Sequence, residues 1–330
     1  MEVVLKNFVK KFKNNKIGPI DMTIESGKIT AILGSSGSGK SVIINSIIGA
    51  TRKFKGKILV KNVSRKKMTS YKVNKFVGLY SQTDFALYKI KAKDFLKTMC
   101  LIIGLPKSEI KEKIEYWLKF FDLWVARNKN ICDFSWGMKN RLNLILCFIK
   151  DSQIIIMDEP GANLDSYWRN KIKNLLIEAK EAGKTVIITV HNIDEISDII
   201  DDYIILDQGK KIFEGSAAEL NVYSKYKLYV RKEFDVIKFK TFLQENGIKT
   251  FKYDDKENSL VIAVERYKQL NYLFLYLIKN NLPLANLIKL PINMEAICKA
   301  LEYEFKVEDK IIVMKKVKVK KIDKKEEKKQ

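Results

Sequence analysis

The chain has 330 residues but only one histidine, five prolines and four cysteines. The cysteines, Cys100, Cys132, Cys147 and Cys298, are scattered, with no C-x-x-C pair. That pattern argues against a disulfide framework or a cysteine metal site, and for reduced, mostly buried thiols. No apolar run approaches the length that crosses a bilayer, and the longest, Tyr272–Ile278 and Leu142–Ile149, are far too short. Met1–Lys6 lacks the apolar stretch of a signal peptide. The expectation is a cytoplasmic protein that reaches a membrane only through a partner. Basic motifs interleaved with aromatics are also missing, although 62 Lys and Arg against 39 Asp and Glu leave a net charge of +23. Such an excess suits nucleic acid or an anionic membrane surface. Here it is overwhelmingly Lys and spread along the chain, so no specific nucleic-acid partner is expected. Apolar residues are abundant: a hydrophobic fraction of 46% excludes global disorder, and the length allows two domains.

One stretch organises the rest. An apolar strand, Ile29–Leu33, runs into Gly34-Ser35-Ser36-Gly37-Ser38-Gly39-Lys40-Ser41, and a helix leaves through Val42–Gly49. The loop fits G-x-x-x-x-G-K-[ST] in a strand–loop–helix context. Its glycines let backbone N–H groups turn inward around phosphate oxygens, and the helix N-terminus adds partial positive charge. Lys40 would reach the β- and γ-phosphates, and Ser41 would place its hydroxyl on Mg²⁺. Before this stretch, Val3–Phe8 and Ile20–Ile24 alternate as antiparallel strands, with Phe12 between them as either a base-stacking aromatic or a small core residue. After it, Gly56–Val63 reads as one strand, and Phe76–Gln82 as a buried strand whose terminal Gln82 lies where ligands bind in α/β sheets. Gln82 could touch Mg²⁺ and the attacking water, or be a plain loop residue. Lys91 to about Val125 is helical.

Three further segments carry polar groups where an α/β sheet collects them. Phe134–Arg141 opens a helix with Ser135 as N-cap, which is either an anion-holding N-terminus that includes Gly137 or an ordinary capped helix. Ile154–Met157 is an apolar parallel strand closed by Asp158 and Glu159. Adjacent strand residues point to opposite sides, so Asp158 would hold Mg²⁺ while Glu159 would polarise the attacking water. Gly161–Asp165 is a turn before a helix from Ser166 to Lys180. Lys184–Val190 is a second buried strand that ends at His191, the chain's single histidine. Asp194–Asp198 begins the next helix, and Tyr203–Gly215 is a hairpin around Gln208-Gly209. Beyond residue 220 the pattern β-α-β-β-α-β, through strands near 226–231, 248–253, 260–264 and 285–290, reads as a split, ferredoxin-like unit. A helix over Met294–Phe305, a partly alternating Ile311–Val319 and a Lys-rich tail follow.

Taken in order, GSSGSGKS, Gln82, Phe134–Arg141, IIIMDEP, GANLD and His191 resemble the ATP-binding subunits of ABC transporters over about residues 1–220. The resemblance implies an ATPase that uses ATP and Mg²⁺. It makes Glu159, His191 and Gln82 catalytic, and Ser41, Gln82 and Asp158 metal-facing. It places Phe12, the loop from Gly34 to Val42, Ser135, Gly137 and Asp165 on the nucleotide. The implied fold is an α/β P-loop cassette: a mixed sheet core, an antiparallel β subdomain and a helical subdomain at about 83–150. A small α+β domain (221–306) and a tail (307–330) complete the chain. The implied partners are separate membrane-spanning permease subunits, docked near Gln82 and residues 83–130, and a second cassette, identical or not. The location implied is peripheral, on the inner face of the cell membrane. Pro291–Ile297 is similar to the end of bacterial drug-exporter subunits, which implies export. The signature departs from the family's L-S-G-G-Q: Trp136 replaces the first glycine and Met138 the glutamine, and an indole stands where glycine permits close approach. The alternatives are a slow-turnover regulatory subunit and a non-transport ATPase acting on nucleic acid or ribosomes. The single cassette and the missing heptad run count against the latter.

Overall fold

A computed structural model describes residues 1–290 except 14, 82–88, 161–164, 191–197, 217–218, 220–223, 233 and 265–266. The chain forms two compact units, Met1–Ala217 and Ala218–Gln330. In the first, β1 (Val3–Lys11) and β2 (Lys16–Ile24) form an antiparallel hairpin longer than the alternation alone predicts. They join β4 (Lys55–Val60) and β5 (Val63–Ser64) in a sheet of order β2-β1-β4-β5. The expected single strand Gly56–Val63 is a hairpin instead. Lys61 and Asn62 both take positive φ, 47° and 62°, which reverses the chain between β4 and β5.

The second sheet holds the strands that end at the site. Its order is β10-β9-β3-β8-β7-β6, with β3 (Ile29–Gly34), β6 (Val77–Tyr80), β7 (Ile154–Asp158), β8 (Thr185–Val190) and β9 (Asp202–Asp207) parallel. The edge strand β10 (Lys210–Ser216) runs antiparallel to β9 across Gln208-Gly209. Both β3 and β8 are buried at every residue, as the unbroken apolar runs require of strands covered on both faces. The predicted strand Phe76–Gln82 is shorter, because Phe76 closes a 3₁₀ segment (Met68–Phe76) and β6 begins at Val77. Phe8, Ile24, Ile43, Ile58, Ile156 and Leu206, all at most 1% exposed, join the two sheets and α1 (Lys40–Ile47) into one core. Between β6 and β7 lie α2 (Ala92–Ile102), α3 (Lys107–Phe120) and α4 (Trp136–Phe148). Gly104, at φ 81°, and Pro106 divide the expected long helical stretch in two. The helix α5 (Ser166–Glu181) connects β7 to β8.

The second unit is an antiparallel sheet of order β12-β13-β11-β14, from β11 (Ser224–Val230), β12 (Lys249–Asp254), β13 (Ser259–Val264) and β14 (Leu284–Lys289). With α6 (Val236–Glu245) and α7 (Leu270–Lys279) it encloses its own core around Leu228, Phe239, Leu243 and Ile262. The expected helix at 294–305, the strand at 311–319, the tail and Pro291–Ile297 lie outside the described residues, as do Gln82, Gly161–Leu164, His191 and Asp194–Ser197. Among the described residues no helix is long and apolar enough to cross a membrane.

Candidate functional site

The site grows from the end of β3. Gly34 closes that strand so tightly that an added Cβ would sit 2.4 Å from the Leu206 carbonyl oxygen and from Ser38 Oγ. Gly39, the N-cap of α1, takes φ 108°, a conformation that side chains resist. Between them Ser35, Ser36 and Gly37 are exposed. Ser38 is 1% exposed, and its hydroxyl has no hydrogen-bond partner among the described residues. Lys40 folds back over the loop, and its ammonium donates to the carbonyls of Gly34 at 2.8 Å and Ser35 at 3.3 Å. The side chain is 5% exposed, and burial pushes its pKa down against the pull of Glu159 and Asp158. A buried cation whose hydrogen bonds go to neutral carbonyls, with a single carboxylate 3.9 Å away, suits an incoming polyanion. Ser41 is exposed at the same helix end.

The opposing wall is the carboxyl end of β7 and β8. Asp158 ends β7, and its carboxylate accepts a hydrogen bond from the Thr189 hydroxyl. The Glu159 amide donates to Thr189 Oγ at 3.0 Å and to the Thr189 carbonyl at 3.2 Å. Glu159 therefore lies past the strand, not on it, and takes φ 52°. What separates the two carboxylates is a left-handed backbone, not the strand alternation that the sequence suggested. The Glu159 carboxylate stands 3.9 Å from Lys40 Nζ. A cavity of about 290 Å³ opens here, bounded by Ser36, Gly37, Gly39, Lys40, Ser41 and Val42, by Phe12, Asn15 and Ile17, and by Glu159. Phe12 is 47% exposed at the β1–β2 turn, where its amide donates to the Asn15 carbonyl at 2.8 Å. It is not a core residue.

Other expected residues stand elsewhere. Ser135 caps α4, with its hydroxyl accepting from the Met138 amide at 3.3 Å. Trp136 is 48% exposed, and a Cβ added at Gly137 would meet nothing within 4 Å. Arg141 turns inward onto the Phe121 carbonyl at 3.2 Å and lies 4.8 Å from the Trp168 ring. Asp165 caps α5, accepting from the Trp168 amide at 2.9 Å. Ser135, Gly137 and Asp165 do not line the cavity. Gln82 and His191 lie outside the described residues. Sequence reasoning missed Thr189, which holds the Asp158 carboxylate and the Glu159 backbone amide; its signal was a hydroxyl near the end of a mostly apolar buried run. It also missed Asn15 and Ile17, which carry no motif.

The donor set fits a nucleotide with Mg²⁺. No group of three or more His, Cys, Asp or Glu side chains that could hold a metal exists among the described residues. Ser41 and Asp158 suit Mg²⁺, which keeps several waters and binds through one or two protein oxygens plus substrate phosphates.

Residues 17–162 match the family model described as ABC transporter. The chain is 32% identical over 213 residues to the Nod factor export ATP-binding protein I of Rhizobium sp. (strain N33), covering 63% of this chain and 69% of that one. It is 29% identical over 204 residues to the energy-coupling factor transporter ATP-binding protein EcfA of Methanocaldococcus jannaschii, covering 61% and 73%. Among solved structures, cbiO1 from Clostridium perfringens, part of the ABC transporter complex cbiONQ, superimposes with a TM-score of 0.57 at 26% identity over 66% of this chain and 89% of that one. The fold is also that of the dimeric post-hydrolysis ATP-binding cassette MJ0796 bound to ADP and Pi, with a TM-score of 0.59 at 24% identity over 65% and 98%.

Proposed function

We propose that this chain, which belongs to the ABC transporter family of ATP-binding subunits, binds and hydrolyses Mg·ATP and thereby drives separate membrane-spanning subunits. The convergence of Lys40, Ser41 and Glu159 on one cavity under Phe12, with Asp158 at the strand end beside Glu159, supports this reading most directly. The loop amides and Lys40 receive the β- and γ-phosphates, and Phe12 stands where a base can stack. Ser41 and Asp158 would hold Mg²⁺, which neutralises charge on the phosphates and orients them. Thr189 occupies one Asp158 oxygen and anchors the Glu159 amide, so the Glu159 carboxylate is directed towards Lys40 and can take a proton from the attacking water. Gln82 and His191 are assigned to the same water and the γ-phosphate by the family pattern.

Ser135 and Gly137 are assigned to the nucleotide of a second cassette, because they open a capped helix away from this chain's own cavity. Asp165 is given the same side. Two cassettes close on ATP and reopen on hydrolysis, and the motion passes to permease subunits docked near residues 83–130. Export is assigned from the Pro291–Ile297 likeness and from a relative named for export. The exposed Trp136 favours a pairing in which a different cassette supplies the better signature. Location follows from the partner: peripheral, on the inner face of the cell membrane.

Glu159→Gln tests the chemistry. It retains size and hydrogen bonding but loses the charge that draws the proton. Hydrolysis is expected to fall about 10²–10⁴-fold while Mg·ATP binding, followed by fluorescence titration, persists. Near-normal turnover in a preparation free of host ATPases would remove Glu159 from its role.

A further inference from the structure

The two helices that carry nucleotide-facing groups at their N-termini, α1 and α4, are held at their far ends by one short segment. Behind α1, Arg65 is 1% exposed. Its guanidinium donates to the carbonyl of Ile48, the C-cap of α1, to the Ser70 carbonyl, and to Asn74 Oδ1 at 2.9 Å. Behind α4, Lys150 follows the C-cap Ile149, and its ammonium donates to the Asn74 carbonyl at 2.6 Å and the Val77 carbonyl at 3.5 Å. Asn74 thus receives one cation on its side chain and the other on its backbone. Each cation stands at the end of a helix where the dipole is negative. Val77 begins β6, the strand that leads towards Gln82. A cavity of about 310 Å³ borders Ile48, Asn74 and Val77, so polar contacts, not close packing, hold the helix ends on that side.

Geometry gives this arrangement a purpose. α1 is eight residues long, about 12 Å, so a shift of the Ile48 carbonyl is felt at Lys40. In a two-fold dimer each chain presents its phosphate loop and its signature together. The spacing between them within one chain must therefore match the spacing that the partner presents. We propose that Arg65, Asn74 and Lys150 form a positioning brace that sets the phosphate-loop helix against the signature helix from behind. This rests on the reading that α4 completes the nucleotide site of a second cassette.

Asn74 is exposed and Lys150 half-buried, so Asn74→Ala and Lys150→Met in the full chain should fold. ATP affinity, set by the intact loop, is expected to change less than about twofold, while kcat falls about tenfold in each variant. Lys150→Arg should restore kcat, and the double variant should be little worse than either single one. An unchanged kcat, or affinity and kcat falling in parallel, overturns the brace. Amide hydrogen exchange separates this from failure of the proposed function. Lys150→Met should raise exchange at residues 34–41 and 135–141 with little change in β3 or β8. Unchanged exchange at both segments overturns the brace whatever the turnover. Absent hydrolysis in the unmodified chain, with the exchange changes present, overturns the proposed function instead.

Discussion

Trp136 is one of two residues, with Met138, that depart from the signature the sequence resembles, and the structure leaves its indole half in solvent at the first turn of α4. On the proposed pairing, an exposed apolar ring at this helix N-terminus obstructs close approach of a second cassette's phosphate more than it supports the fold. Trp136→Gly is expected to raise the ATPase rate of the purified protein. A lower rate would make the indole an adapted part of the site. The identities of Lys40, Ser41, Asp158 and Glu159 were legible in the sequence because a phosphate loop and an apolar strand closed by two carboxylates each have a local pattern. How the two carboxylates are kept apart was not legible. The left-handed backbone at Glu159 depends on hydrogen bonds to Thr189, thirty residues away in sequence. No spacing rule reports a conformation imposed by a neighbouring strand. Thr189 itself was hidden inside a run whose apolar neighbours define the strand.

Helices show how one residue can carry two readings. Asp165, given to the nucleotide by its motif, caps α5 through the Trp168 amide. An N-cap carboxylate typically contributes about 1 kcal/mol. Asp165→Ala should therefore lower stability by about that much in chemical denaturation, and Asp165→Ser should recover most of it. If the aspartate also acts on the nucleotide, Asp165→Ser will regain stability without regaining turnover. A Ser variant with full activity would leave Asp165 as a cap alone. Among the elements, β3, β7 and β8 were readable because strands buried on both faces are apolar throughout. The β4–β5 hairpin was not, because Lys61-Asn62 carries no glycine to mark the reversal. The break between α2 and α3 was passed over although Gly104 and Pro106 signal it.

For the whole molecule, the deciding quantities are charge and the lack of a described helix able to cross a membrane. A net charge of +23 draws the protein to anionic lipid, at about 1 kcal/mol for each Lys held near the surface. Salt weakens that attraction. A docked permease would add contacts that salt removes less readily. Cells with and without the membrane-spanning partner should therefore differ in salt-resistant membrane retention of this chain. Equal retention in both would mean that lipid, not a partner, holds it there. The sequence changes pattern near residue 220, where β-α-β-β-α-β differs from a phosphate-loop sheet in both order and periodicity, and the described structure divides between Ala217 and Ala218.

On the proposed role of Glu159, its backbone sets catalysis and folding against each other. A non-glycine residue at φ 52° costs on the order of 1–3 kcal/mol. Glu159→Gly would relieve that strain, at a smaller cost in unfolded-chain entropy, so its Tm is expected to hold or rise while hydrolysis disappears. A Tm several degrees lower would show that the carboxylate supports the fold. Any laboratory selection that rewards heat resistance alone would then drift towards a variant at this codon that survives heating but no longer turns over ATP.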